Sequence, residues 1–182
     1  MNGNKTLRLV IAALMAAMTC VATMVIKIPI PATGGYINLG DCIVLLCGVV
    51  LGPLYGGLAA GLGSALADLL GGYVAFAPAT FVIKGIMAVA VGLIIRAYSK
   101  NRIWKFVLAG LLAEAIMIVG YFAFEATIMG YGLAAAGAIP GNAIQGIVGI
   151  AIAVILMPII NKINLSPLRK NEVDAKRRND EK

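Results

Sequence analysis

Four stretches of this chain, 7–28, 77–97, 103–129 and 138–160, are each apolar over about twenty residues. That is the length a helix needs to cross the roughly 30 Å hydrocarbon core of a bilayer. A fifth stretch, 37–70, is too long for one crossing and carries Gly52-Pro53 at its middle. Proline removes a backbone donor and clashes with the preceding turn, so this stretch reads as two shorter helices meeting near Gly52–Gly57. The expected fold is an all-α integral membrane protein of six transmembrane helices. Composition agrees: the 182 residues are 61% hydrophobic and 13% charged, where a soluble domain carries about a quarter charged residues. Nothing outside the apolar runs could build a soluble core.

Charge sets the expected topology. Thirteen of the fifteen Lys and Arg fall in three clusters, Lys5 with Arg8, Arg96 to Lys105, and Lys162 to Lys182. Basic residues favour the cytoplasmic side, and six crossings place all three clusters there, with both termini inside. Five crossings would strand Arg96, Lys100, Arg102 and Lys105 outside. The first run exceeds a signal-peptide core and lacks a small-residue cleavage site, so it reads as a span. Residues 1–165 form the expected membrane domain. Residues 166–182 mix both signs without an apolar stripe and read as a disordered cytoplasmic tail. The net charge of +7 reports topology and anionic lipid, not nucleic acid.

Against this background the ionisable residues in the apolar runs stand out: Asp41, Asp68, Lys84, Glu114 and Glu125, with Lys27 at the edge of the first run. Each charge near the bilayer centre costs about 2.5–3.5 kcal/mol on insertion scales, so each needs a partner, a cavity or a task. Glu114, Tyr121 and Glu125 stand at i, i+7 and i+11, one face of one helix. Asn142 and Gln145 share a face at i and i+3, and Asn38 and Asp41 repeat that spacing. Three polar stripes near one side of the membrane describe a cavity open to the outside. The three external loops, 29–38, 71–76 and 130–137, are short, glycine-rich and uncharged, with Tyr36, Tyr73, Phe76, Phe124 and Tyr131 nearby. Interfacial aromatic belts account for some of these rings, but Tyr121 lies deeper.

Asp68 and Lys84 flank a short loop and are expected to form a structural ion pair, with direct ligand contact the other reading. Gly57, Gly61 and Ala65 recur every four residues, a close-packing seam. The first helix carries two interleaved small-residue pairs, Ala12/Ala16 and Ala13/Ala17, whose spacing alone favours internal packing. Cys20, Cys42 and Cys47 lack metal-ligand spacing, and the chain has no histidine. No metal site and no cofactor are expected. There is no G-x-x-x-x-G-K-[ST] run, so any ATP-driven step belongs to another subunit.

The run Tyr36-Ile37-Asn38-Leu39-Gly40-Asp41, followed by Leu51-Gly52-Pro53 and Gly56-Gly57, resembles the S components of energy-coupling factor (ECF) vitamin transporters. So do Gly63 to Tyr73, Ala77-Pro78 and Ile83-Lys84-Gly85. Glu114, Gly120-Tyr121-Phe122, Glu125, Ile139-Pro140-Gly141-Asn142 and Gln145-Gly146 fit the riboflavin-type branch. The resemblance spans residues 8 to about 160. It implies a substrate-binding subunit in the cell membrane that joins a membrane-embedded coupling (T) protein and two ATPase subunits. It also implies an outer-side pocket, and it points Ala12, Ala13, Ala16 and Ala17 toward the coupling protein. The metal-transporting relatives use an N-terminal histidine that this chain lacks.

The expected substrate contacts are Tyr36, Asn38, Asp41, Lys84, Glu114, Tyr121, Glu125, Asn142 and Gln145. Carboxylates accept from donors and favour cations, whereas an anion wants Arg or a positive helix end. A small flat heterocycle bearing hydroxyl or amino groups fits best, pyridoxine-like or hydroxymethylpyrimidine-like, ahead of riboflavin. The chain itself is not expected to be an enzyme. The rival reading is an autonomous proton-coupled transporter using Asp68 or Glu114.

Overall fold

The computed structural model describes residues 3–97 and 103–162. The tail at 166–182, with Lys100 and Arg102 of the middle basic cluster, lies outside the described residues. The order of elements is α1 (Gly3–Val25), β1 (Lys27–Pro29), β2 (Tyr36–Asn38), α2 (Asp41–Leu70), α3 (Ala77–Ala97), α4 (Ile103–Thr127), a 3-10 segment (Gly132–Ala138) and α5 (Ile139–Lys162). Among the described residues five helices are long and apolar enough to cross a membrane.

The long stretch breaks where proline said it would. Gly52 leaves the helix with φ 74° and ψ −170°, immediately before Pro53. Glycine is required there, since an L side chain is strained at that φ and a Cβ would strike the Arg96 guanidinium. The two arms fold back on each other: a Cβ on Gly56 would meet the Cys47 carbonyl oxygen at 2.5 Å. Arg8 and Arg96 both donate to the Leu51 carbonyl, at 3.0 and 3.2 Å, satisfying an acceptor that the break leaves without its helical donor. The first arm, Asp41 to Leu51, is about 16 Å long, half a bilayer. The expected helix break is present, therefore, but one of its halves is shorter than a full crossing.

The glycine seam is also present. A Cβ on Gly61 would lie 2.6 Å from the Phe81 carbonyl, and one on Gly57 2.7 Å from Val89. The absence of side chains lets α2 and α3 touch backbone to backbone. On the other side of α2, Gly63 admits the Ala16 carbonyl of α1. These contacts surround a core that includes Val44, Leu45, Cys47, Met87, Val91, Phe106 and Met117.

The helical fold carries one element that was not expected: the first external loop is a β-hairpin with Lys27 opposite Asn38, Ile28 opposite Ile37 and Pro29 opposite Tyr36. Its tip closes through Ile30 N to Gly35 O at 2.8 Å and Gly34 N to Ile30 O at 2.9 Å, with Gly34 at φ 69°. The Asn38 side chain then accepts from Gly40 N at 2.8 Å as the chain enters α2, the local bond by which Asn favours turns and helix starts. The hairpin packs against the other two external loops. Lys27 lies against Gly71, and Ala32 against Gly137 of the 3-10 segment.

Candidate functional site

Beneath the hairpin lies a cavity of about 440 Å³, mouth included. Seven of the nine expected contact residues line it: Tyr36, Asn38, Lys84, Tyr121, Glu125, Asn142 and Gln145. Each arrives by a distinct route. The hairpin supplies Tyr36 and Asn38, and α3 brings Lys84 two turns below its start. Tyr121 and Glu125 descend from the end of α4, and Asn142 and Gln145 occupy the first turns of α5.

Asp41 and Glu114 are not in the lining. Asp41 is fully buried and forms an ion pair with Lys84. Its other oxygen accepts from Gln145 Nε2 at 2.6 Å, while Gln145 Oε1 accepts from the Asn38 backbone N–H at 2.7 Å. Lys84 also reaches Met117 Sδ at 3.0 Å, and the Tyr121 ring lies 5.5 Å from its ammonium. Asp41 thus holds Lys84 and Gln145 from behind the cavity wall. Glu114 lies deeper still, 4% exposed, its stem against Gly146 where a Cβ would come within 2.9 Å. Neither Glu114 oxygen has a hydrogen-bond partner.

The expected Asp68–Lys84 pair is not formed. Lys84 turns to Asp41, because the fold-back at Gly52 returns α2 alongside its own first turn and places Asp41 next to α3. Asp68, 3% exposed, instead lines the cavity and accepts from the Tyr36 hydroxyl at 2.6 Å. That hydroxyl, on the hairpin, has its pKa pushed up by burial and then by the Asp68 hydrogen bond, so it stays a donor.

The remaining lining was not among the expected contacts: Thr23, Ile30, Gly35, Ser64, Phe76 and Thr80, with Asp68 expected first as an ion-pair partner. Ser64 stands one turn before Asp68, a spacing that could have been read. Thr80 accepts from the Tyr121 hydroxyl at 3.0 Å. A ladder of rings includes the lining residues Tyr36 and Phe76: Tyr36 to Tyr73 at 4.4 Å, Tyr73 to Phe76 at 6.5 Å and Phe76 to Phe124 at 5.6 Å. Lys27 lies 5.0 Å from the Tyr36 ring and 5.4 Å from the Tyr73 ring. Tyr131 is outside this ladder and partly exposed.

The four alanines of α1 divide. Ala12 and Ala16 pack against the core, whereas Ala13 and Ala17 face outward.

Residues 3–162 match the family of ECF-type riboflavin transporter S components. The chain belongs to this family. It is thus an S component, a multi-pass membrane subunit of a transporter and not an enzyme. A solved structure described as the S component of a bacterial ECF transporter superposes with a TM-score of 0.68. It covers 86% of this chain and 96% of its own at 21% identity, which supports the fold. A relative from Pyrococcus woesei, described as an uncharacterized protein in a gap 3' region, is 41% identical over 116 residues. The match takes in 64% of this S component and 76% of that relative.

Proposed function

We propose that this S component captures a small water-soluble vitamin or vitamin precursor outside the cell and delivers it inward with a coupling protein and two ATPase subunits. The observation that carries the reading is the cavity under the hairpin, on which polar side chains from α2, α3, α4, α5 and β2 converge. A one-ring pyridoxine-like or hydroxymethylpyrimidine-like compound is the favoured cargo. Riboflavin is second and is supported by the family's description.

The hairpin end faces outside in this reading, and the basic ends of α1, α3 and α5 face the cytoplasm. With both termini inside, that orientation gives six passes, of which the first arm of α2 is too short to span the hydrocarbon core by itself. The outward-facing Ala13 and Ala17 offer a smooth patch for the coupling protein. The second reading, a proton-coupled carrier, draws on Glu114, whose buried carboxyl group has no partner.

Purified protein in liposomes separates the two. The capture reading expects ligand binding without accumulation when a proton gradient is imposed on the chain alone. Gradient-driven accumulation by the chain alone would contradict it and make Glu114→Gln the next variant to assay.

A further inference from the structure

Glu114 lies outside the cavity lining, 4% exposed, and neither of its oxygens has a hydrogen-bond partner. Its surroundings are polar all the same. A Cβ on Gly146 would lie 2.9 Å from the Glu114 stem and 3.0 Å from Oε2. One on Gly149, a turn further along α5, would lie 3.0 Å from Asp41 Cβ. Two glycines on one face of α5 thus make room for two acidic side chains. Met117, one turn after Glu114 on α4, touches the Lys84 ammonium at 3.0 Å and Gln145 Nε2 at 3.2 Å. The charged groups that face Glu114 are Asp41 from α2 and Lys84 from α3. Asp68 approaches Lys84 from the cavity side, with Lys27 and the Tyr36 hydroxyl beside it.

Two carboxyl groups and one ammonium therefore share a buried site, and the ammonium is paired with Asp41. An ionised Glu114 would add a second negative charge beside the first. It would also be an acceptor facing an acceptor, with no bond to make. A protonated carboxyl group has an O–H donor. Asp41 accepts from Lys84 on one oxygen and from Gln145 on the other, and each keeps a further lone pair. One proton supplies both the missing charge and the missing bond. We infer that Glu114 is a proton-binding site, whose carboxyl group keeps its proton at neutral pH and donates it in a hydrogen bond to Asp41. Glu114 is then a positioning residue acting through Asp41. The same carboxylate holds Lys84 and Gln145, and Gln145 accepts from the Asn38 N–H of the hairpin. The proton belongs to the ligand-free chain, so the inference does not rest on the identity of the cargo.

Infrared difference spectra of the full chain in detergent, unmutated minus Glu114→Gln, test this at neutral pH. A carboxylic acid carbonyl band that shifts in heavy water is expected in the unmutated chain and lost in the variant. Glutamine keeps a donor for Asp41, so Glu114→Gln should hold its denaturation midpoint within about 2 °C of the unmutated chain. Glu114→Met, of similar length but without a donor, should lower it by about 3–10 °C. Where Glu114→Gln does not fold, isotope labelling of the glutamates in Glu125→Gln reads the same band from Glu114. The other two glutamates, Glu172 and Glu181, belong to the charged tail. The absence of an acid band from Glu114 overturns the inference, because the group is then ionised. A Glu114→Gln chain as unstable as Glu114→Met overturns it too, by placing an ionised Glu114 on Lys84.

Discussion

Lys84 shows how the membrane interior disciplines single residues. Its ammonium is almost wholly removed from solvent and keeps its place through Asp41, itself fully buried. Removing one partner of such a pair strands the other charge and costs about 3–5 kcal/mol, whereas replacing both with apolar residues is often neutral. Asp41→Leu should therefore lower thermal stability sharply in detergent, and adding Lys84→Met should restore most of the loss. Tyr36→Phe makes a milder prediction. It removes the donor to Asp68 Oδ1 and should cost about 0.5–1.5 kcal/mol of stability or affinity, read by denaturation with and without ligand. Tyr121 with Glu125, and Asn142 with Gln145, were legible because helical spacing puts each pair on one face. Asn38 stands on β2 ahead of the helix that Asp41 begins, so that pair does not share a helix face. The Asp41–Lys84 pairing was not legible, since 43 positions separate the two and their meeting depends on the fold-back at Gly52. Ser64, Thr80 and Thr23 escaped for another reason: a single hydroxyl in an apolar run gives no spacing signal unless a neighbour such as Asp68 supplies one.

At the scale of elements, glycine positions decide how the helices meet. Gly52 combines a left-handed φ with a guanidinium where its Cβ would go. Gly52→Ala should cost several kcal/mol through strain and displacement of Arg96, lowering the denaturation midpoint. Gly61→Ala forces α2 from α3 at the Phe81 carbonyl and should cost about 1–3 kcal/mol in the same assay. Proline and the Gly57/Gly61 spacing made the helix break and the seam readable in advance. The β-hairpin was not foreseen, because Pro29 to Asn38 is rich in turn residues and its strands are three residues each. Such short strands alternate too briefly to reveal a period.

Across the described residues, five membrane-capable helices, one of them broken at Gly52, run between two chemically different ends and make an asymmetric subunit. One end gathers the hairpin, the aromatic ladder and the cavity; the other gathers Arg8, the Gly52 turn and Arg96. On this account the ligand site and the partner surface are separate, and the two alanine pairs of α1 should separate them experimentally. Ala13→Leu with Ala17→Leu should leave ligand affinity within twofold while reducing uptake in cells that hold the complete transporter. Ala16→Leu should instead destabilise the isolated chain, because Ala16 packs internally beside Gly63. The account stands most directly on whether this cavity holds a vitamin. Thermal denaturation of the purified chain against a panel of B vitamins, with mass spectrometry of whatever co-purifies, measures that. One vitamin should stabilise the protein at micromolar concentration or below, by about 2.7 kcal/mol at a hundred times its Kd, and the effect should vanish when Ser64→Phe fills the cavity. A panel without any response, or a stabilising ligand that binds Ser64→Phe equally well, would contradict it.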